Sequence, residues 1–448
     1  MTRGRLDSAG HAGQTLQVMS EVESHRPGKV EVHRVRRMSG RDPDETHRAA
    51  TPLELLFDLT FVIGFGIAAS EFAHQLAEDH VGMGLASFAF ATFSICWAWI
   101  NFSWFASAYD TDDWIYRVTT MVQMIGVVIL ALGMPPMFAS IDRGVELDNS
   151  VMVSGYIVMR IAMVFQWLRA AKHDPEHRSA SLTYATMLVL AQIGWVALVI
   201  APLTVEYAFG LGATLILVEL TSPVIAERYK GGTPWHAHHI VERHGLLVII
   251  TLGEGVIGTV ASLSAVVEHQ GWTLDAVLVA VAGIGLTFGL WWVYYTLPSA
   301  EVLAVYRSRS FVWGYSHIAL FASLAAVGAG LHVAAYYIEH ASHLGGTATV
   351  LSVAAPVAIF LAGVYALYTY LLRVPDPFHI LLLVLTAATI ALALVLAAQG
   401  VSMAWCLIVV MLAPVVTVVG YELLGHAHEA RALEIVLGRA DTGAGEEY

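Results

Sequence analysis

Charge is scarce in this chain. Only 13% of its 448 residues are Asp, Glu, Lys or Arg, roughly half of the quarter usual for a soluble domain, which excludes a water-soluble globular protein. Positive charge is scarcer still. The 23 Lys and Arg against 36 Asp and Glu give a formal net charge of −13, and no run of cations with interleaved aromatics is present to track phosphates, so nucleic acid is excluded as a partner. Cysteine is almost missing. Cys96 and Cys406 both lie in apolar stretches without metal-ligand spacing, so no disulfide framework, thiolate metal centre or cofactor is expected. Apolar residues fill the chain instead, at 57% of the sequence and a mean hydropathy of +0.65.

The first fifty residues are the polar exception. They hold nine Lys/Arg and seven Asp/Glu with no apolar h-region, and residues 1–50 therefore read as a disordered cytoplasmic tail rather than a cleaved signal peptide. Beyond Thr51 the sequence breaks into twelve apolar segments, each about as long as a bilayer-crossing helix at 1.5 Å per residue. The first six run Pro52 to Leu76, Val81 to Ala106, Trp114 to Phe138, Ser150 to Ala171, Ala180 to Ala201 and Tyr207 to Ala226. The second six run Gly245 to Ser264, Leu274 to Tyr295, Phe311 to Tyr337, Thr349 to Leu372, Ile380 to Ala398 and Ser402 to Leu424. The expected fold is thus an all-α polytopic membrane protein of about twelve transmembrane helices.

Orientation follows from the cations, because short loops rich in Lys and Arg stay cytoplasmic. Apart from the tail and Arg160, which lies within a span, one alternating set of segments holds Arg117, Arg169, Lys172, Arg178, Arg228, Lys230, Arg243, Arg307, Arg309, Arg373, Arg431 and Arg439, and the other holds only Arg143. Both termini are expected to be cytoplasmic.

Pairs of similar residues recur at offsets of 189 to 194: Ile63-Gly64-Phe65-Gly66 with Leu252-Gly253-Glu254-Gly255, Trp97 and Trp99 with Trp291 and Trp292, Arg117 with Arg309, and Pro223 with Pro414. They suggest a duplication into two parallel six-helix repeats, an arrangement whose sites form between the halves near mid-membrane. The expected organisation is a first half over 51–230, a cytoplasmic linker over 231–244, a second half over 245–424 and a cytoplasmic tail over 425–448.

An ionised side chain at the bilayer centre costs about 2.5 to 3.5 kcal/mol on insertion scales, so each one inside a span needs a partner or a task. That filter leaves Asp58, Arg160, Glu219 and Glu254, with Glu71, His317 and His332 weaker or nearer span ends. Glu54 and Asp58 sit four residues apart on one helix face, where two like charges repel unless something answers them. The helix dipole explains Glu54 adequately. Asp58 lies past the first turn and reads as a cation-pairing or proton-handling group. Glu254 falls about 18 Å beyond Glu242 at helical rise, near mid-membrane. Gly253, Gly255 and Gly258 make a small-residue face that admits a neighbouring backbone. Its bland reading is a structural pair with Arg160. Together Glu54, Asp58, Arg160, Glu219 and Glu254 are candidates for a polar path, supported by Trp97, Trp99, Arg117, Glu242 and Arg243.

Two loops carry weaker signals. Trp97, Trp99, Asn101, Trp104 and Tyr109 precede Asp110-Thr111-Asp112-Asp113, which reads as an aromatic interface belt followed by a helix cap. Three carboxylates in four residues exceed what a cap needs, and their spacing is similar to the Asp-x-Asp-Asp signature of protonation-initiated terpene cyclases. Asp110, Asp112 and Asp113 are therefore the alternative catalytic candidates. The loop His236-Ala237-His238-His239 has histidines enough for zinc, but without spaced Cys or a repeated His face it reads as a solvated cytoplasmic loop.

The segments Pro52-Leu-Glu-Leu-Leu-Phe-Asp-Leu-Thr-Phe-Val62, Tyr109-Asp-Thr-Asp-Asp113 and Glu242-Arg-His-Gly-Leu-Leu-Val-Ile-Ile-Thr-Leu-Gly-Glu254 together resemble the bacterial low-temperature-requirement A family over nearly all of the chain after Thr51. His244 departs from an aromatic usual in that family, and Gly255 from a small hydroxyl residue. The resemblance implies a polytopic inner-membrane protein and no particular activity. Phe57-Asp58 is also similar to the opening of lysosomal-type potassium channels, which keeps a channel under consideration. The leading expectation is a transporter or channel with buried carboxylates in a polar path between the halves. The alternatives are an intramembrane acid/base enzyme acting on a lipid or isoprenoid through the Asp segment, and a membrane scaffold. Membrane lipids, a small solute, ion or lipid as substrate, and a second copy of the chain are the partners to consider.

Overall fold

The computed structural model describes residues 35–441 except 44, 46, 47, 145, 202 and 375. Among the described residues there are fifteen α-helices and no strand: α1 (Pro52–Ala77), α2 (Val81–Tyr109), α3 (Trp114–Leu132), α4 (Met134–Arg143), α5 (Ser150–His173), α6 (Arg178–Ile200), α7 (Val205–Tyr229), α8 (Ala237–Gln270), α9 (Leu274–Tyr294), α10 (Ser299–Val305), α11 (Ser310–Ile338), α12 (Gly346–Leu372), α13 (Pro377–Ala398), α14 (Met403–Gly420) and α15 (His426–Asp441). Twelve helical segments are long and apolar enough to cross a membrane. Helices α3 and α4 share one, α9 and α10 another, and α14 continues through a π turn at Tyr421–Gly425 into α15.

Helix starts follow local chemistry. At α1, Thr51 accepts from the Glu54 amide while Glu54 Oε2 accepts from the Thr51 amide at 2.7 Å, with Pro52 as the first helical residue; this reciprocal cap satisfies two otherwise orphaned donors. Asp113 caps α3 by accepting from Tyr116 N at 2.9 Å, which is the capping role read from the sequence. The third span is broken at Gly133, ahead of Pro135 and Pro136.

Helix α11 occupies the middle of the bundle and packs against α8, α12, α1 and α2. Its apolar window is 78% buried, against 17% for α13 at the periphery. The α8–α11 crossing is close because both helices carry glycine there. A Cβ on Gly258 would lie 2.6 Å from the Gly328 carbonyl oxygen, and one on Gly328 would lie 2.6 Å from the Glu254 carbonyl oxygen.

Two boundaries differ from the sequence reading. Helix α8 begins at Ala237, eight residues before the apolar stretch at Gly245, so most of the expected linker over 231–244 is helix. His236 caps it by accepting from His239 N through Nδ1 at 3.2 Å, and the polar residues His239, Arg243 and His244 are buried. Hydropathy reads such residues as loop because it cannot see that they have partners. For the expected tail, residues 1–34 lie outside the described residues, while the stretch from Val35 onward lies against the bundle. Met38 is fully buried, Arg41 N donates to Ala108 O at 3.0 Å and Arg48 Nη2 donates to Ala106 O at 2.6 Å.

Candidate functional site

Glu54 and Asp58 are answered from α8. Arg243 Nη1 donates to Glu54 Oε1 at 2.8 Å, Nη2 to Asp58 Oδ1 at 2.5 Å and Nε to Asp58 Oδ2 at 3.2 Å. Trp99 Nε1 donates to Asp58 Oδ1 at 2.7 Å, and His239 Nε2 lies 3.1 Å from Glu54 Oε1. Glu54, Asp58, His239 and Arg243 are all 0–1% exposed. The geometry comes from two matched i, i+4 faces, Glu54/Asp58 on α1 and His239/Arg243 on α8. Two carboxylates against one guanidinium leave a net charge of −1, which one proton on His239 or a carboxylate cancels. The sequence reading put His239 in a solvated loop, whereas it is a fully buried helical residue, and its place one turn before Arg243 marks it as sharing that face.

Glu254 lies eleven residues beyond Arg243 on α8, about 16 Å deeper at helical rise. It is 3% exposed and makes no hydrogen bond or ion pair with any described residue. Gly66 of α1 leaves it room, since a Cβ there would lie 3.3 Å from Glu254 Oε1, and Gly328 of α11 abuts its backbone. Helices α1, α8 and α11 therefore meet at this carboxylate. The glycines that admit these neighbours are Gly66, Gly258 and Gly328. Gly253 faces open space, and Gly255 faces Thr287.

Arg160 does not pair with Glu254. It binds Glu219 of α7 at 3.0 Å and Tyr156 Oη at 3.0 Å, while Trp195 Nε1 donates to Glu219 Oε1 at 2.8 Å. The five polar-path candidates thus form a Glu54–Arg243–Asp58 cluster, a separate Arg160–Glu219 pair and a solitary Glu254.

The Asp segment is divided by its arginines. Asp113 is gripped by Arg169 and also accepts from Arg36 N and Tyr116 N, each at 2.9 Å. Burial opposes its ionisation, yet these hydrogen bonds hold its carboxyl below the usual range. Asp112 pairs with Arg117 at 2.8 Å on the surface. Asp110 accepts from Asp112 N, and burial, reinforced by the charge of Glu54, pushes its carboxyl up to about 6. Glu242 is exposed and accepts from Ala50 N.

Trp97 lines a small cavity of about 30 Å³ with Trp104, Phe311, Trp313, Tyr315 and His244, room for one or two waters. Glu227, also missed, accepts from Trp104 Nε1, Tyr184 Oη and both the amide and the hydroxyl of Thr233, and has no cation partner among the described residues. Four neutral donors from three residues satisfy it.

A sequence profile described as bacterial low temperature requirement A protein (LtrA) matches residues 49–414. The chain belongs to the LtrA family. Every polar-path candidate lies in the matched region, and with the twelve apolar helices LtrA membership makes this a multi-pass integral membrane protein. An uncharacterized protein of Rhizobium meliloti (strain 1021) is 26% identical over 266 residues, covering 56% of this LtrA chain and 59% of the relative's own length. No solved structure matches significantly.

Proposed function

We propose that this LtrA-family protein is a transporter or channel in which Glu254 carries a proton or small cation at the contact between two six-helix halves. One observation carries the reading. Glu54 and Asp58 are answered by Arg243 and Glu219 by Arg160, whereas the Glu254 side chain has neither cation nor donor among the described residues and the residue is 3% exposed. An ionised carboxylate left alone in hydrocarbon is costly, and a bound proton or cation removes that cost.

The surroundings support the same conclusion. Some neighbours recur in the two halves, α1 on α2 as α8 on α9, and α3 on α5 as α11 on α12, in keeping with a parallel duplication. The Arg243 cluster ties α1 of one half to α8 of the other and acts as a closed gate, because any sliding of the halves must first part buried ion pairs. The protein sits in the bacterial cytoplasmic membrane with both termini and this gate on the cytoplasmic side, in keeping with the cation asymmetry.

The enzyme alternative is weaker, since Arg117 and Arg169 occupy Asp112 and Asp113 and leave Asp110 as its acid. The test is ion flux in proteoliposomes holding a pH-sensitive dye, under an imposed pH gradient with sodium or potassium present. Wild-type protein is expected to pass protons or one of these cations, and a folded Glu254→Gln variant to lose at least about tenfold of that flux. Equal flux through both overturns the reading.

A further inference from the structure

Glu219, which pairs with Arg160, borders one of two adjacent cavities that the transport reading does not use. Between α2, α6 and α7 runs an apolar cavity of about 370 Å³, walled among others by Phe90, Phe93, Trp195, Leu198 and Phe209, within the range of ligand pockets. Its rim residues Ala89 and Ala213 are exposed on the outside of the bundle, where the surroundings are hydrocarbon. Phe90, Phe93 and Trp195 also wall a second, smaller cavity of about 20 Å³, which is closed by Ser94, Tyr156 and Glu219. The two cavities share these three walls, so the outer one adjoins the pocket bordered by Glu219 and Tyr156, the two partners of Arg160.

The ion pair has unspent donors. Arg160 uses only Nη2, on Tyr156 Oη and Glu219 Oε2, and its Nε and Nη1 hydrogens reach no acceptor among the described residues. Tyr156 accepts with its oxygen and has its own proton free. Both Glu219 oxygens already accept, from Arg160 and Trp195. Arg160 as a residue is only 3% exposed, and donors left without acceptors in such surroundings are expensive, so a bound head group that accepts hydrogen bonds is favoured. Arg160 and Glu219 together are neutral, and an anionic head would leave an uncompensated charge in the hydrocarbon.

We propose that the outer cavity binds an uncharged long-chain lipid with a carbonyl head, of the quinone or long-chain ketone class, its chain along Phe90, Phe93 and Phe209 and its carbonyl oxygen accepting from Arg160. The shape fits an apolar tail, and the donor surplus fits the head. The site is independent of Glu254, so Glu254→Gln is expected to bind the lipid as wild type does.

The test is a titration of purified protein in nanodiscs with a decyl-substituted benzoquinone, read by quenching of tryptophan fluorescence and by the shift in melting temperature. Decane, decanoate and decylamine, read by melting temperature, serve as comparison ligands. Gly212→Leu fills the outer cavity. A Cβ at that position meets Trp195 at an ordinary 3.6 Å, so the variant is expected to fold. The double variant Arg160→Met with Glu219→Met removes the donors without orphaning a charge. The quinone is expected to bind wild type at least about tenfold more tightly than either variant, and more tightly than decanoate, decylamine or decane. Equal quinone affinity in wild type and a folded Gly212→Leu variant overturns the proposal, as does tighter binding of decanoate or decylamine, or no quinone binding at all.

Discussion

Replacing Arg243 with methionine leaves an unbranched, uncharged side chain and strips from Glu54 and Asp58 the guanidinium that bridges them. In the native protein this guanidinium makes three hydrogen bonds to two carboxylates, none of these side chains being more than 1% exposed. Removing one partner of a buried ion pair costs about 3–5 kcal/mol, mostly because the abandoned charge stays buried. With two carboxylates abandoned, Arg243→Met is expected at or above the top of that range. The loss should come from stranded charge rather than lost contacts, so adding Glu54→Gln and Asp58→Asn to Arg243→Met is expected to recover more than half of it. Arg243→Lys is expected to fall between, since a point charge cannot bridge both carboxylates in the way the planar fork does. Reversible unfolding by denaturing detergent in mixed micelles reads these differences. A loss below about 1 kcal/mol for Arg243→Met, or a triple variant as unstable as the single, refutes the reasoning.

At the α8–α11 crossing, Gly328→Ala is expected to destabilise by about 1–3 kcal/mol through overpacking, since its Cβ would lie 2.6 Å from the Glu254 backbone oxygen. Gly253→Ala meets open space and is expected to be neutral or stabilising, as alanine is the better helix former; thermal unfolding of the two variants separates them. For Asp110, the folded carboxyl is raised to about 6 from 3.8 by burial, with Glu54 and Asp112 adding to the rise and Arg48 opposing it. The stability it contributes is complete below about pH 4 and is lost as pH rises through 6. Asp110→Asn is therefore expected to raise the melting temperature at pH 8 and leave it unchanged at pH 4, and an equal effect at both pH values contradicts this.

What could be read in the sequence was whatever depends on neighbours along the chain. The twelve spans, the cap in the Asp110–Asp113 segment and the like-charge stacking of Glu54 on Asp58 are local, and the stacking itself announces that a cation must come from elsewhere. Which cation depends on which helices abut. Arg243 is 185 residues from Asp58, and nothing in a hydropathy profile says that α8 lies against α1. For the same reason Arg160 looked available to Glu254, when α5 packs beside α6 and close to α7 and gives it Glu219 instead. The early start of α8 was hidden because buried, partnered His239 and Arg243 look like loop residues. The glycines around Glu254 were sought next to it in sequence, while Gly66 and Gly328 come from other helices.

The most direct test of Glu254 as a proton- or cation-carrying group is infrared difference spectroscopy on protein in lipid, stepping pH and sodium or potassium concentration. Wild type is expected to show a buried carboxyl or carboxylate band that changes with the step and is missing from Glu254→Gln. Identical difference spectra for wild type and Glu254→Gln, with both proteins folded, would contradict that role.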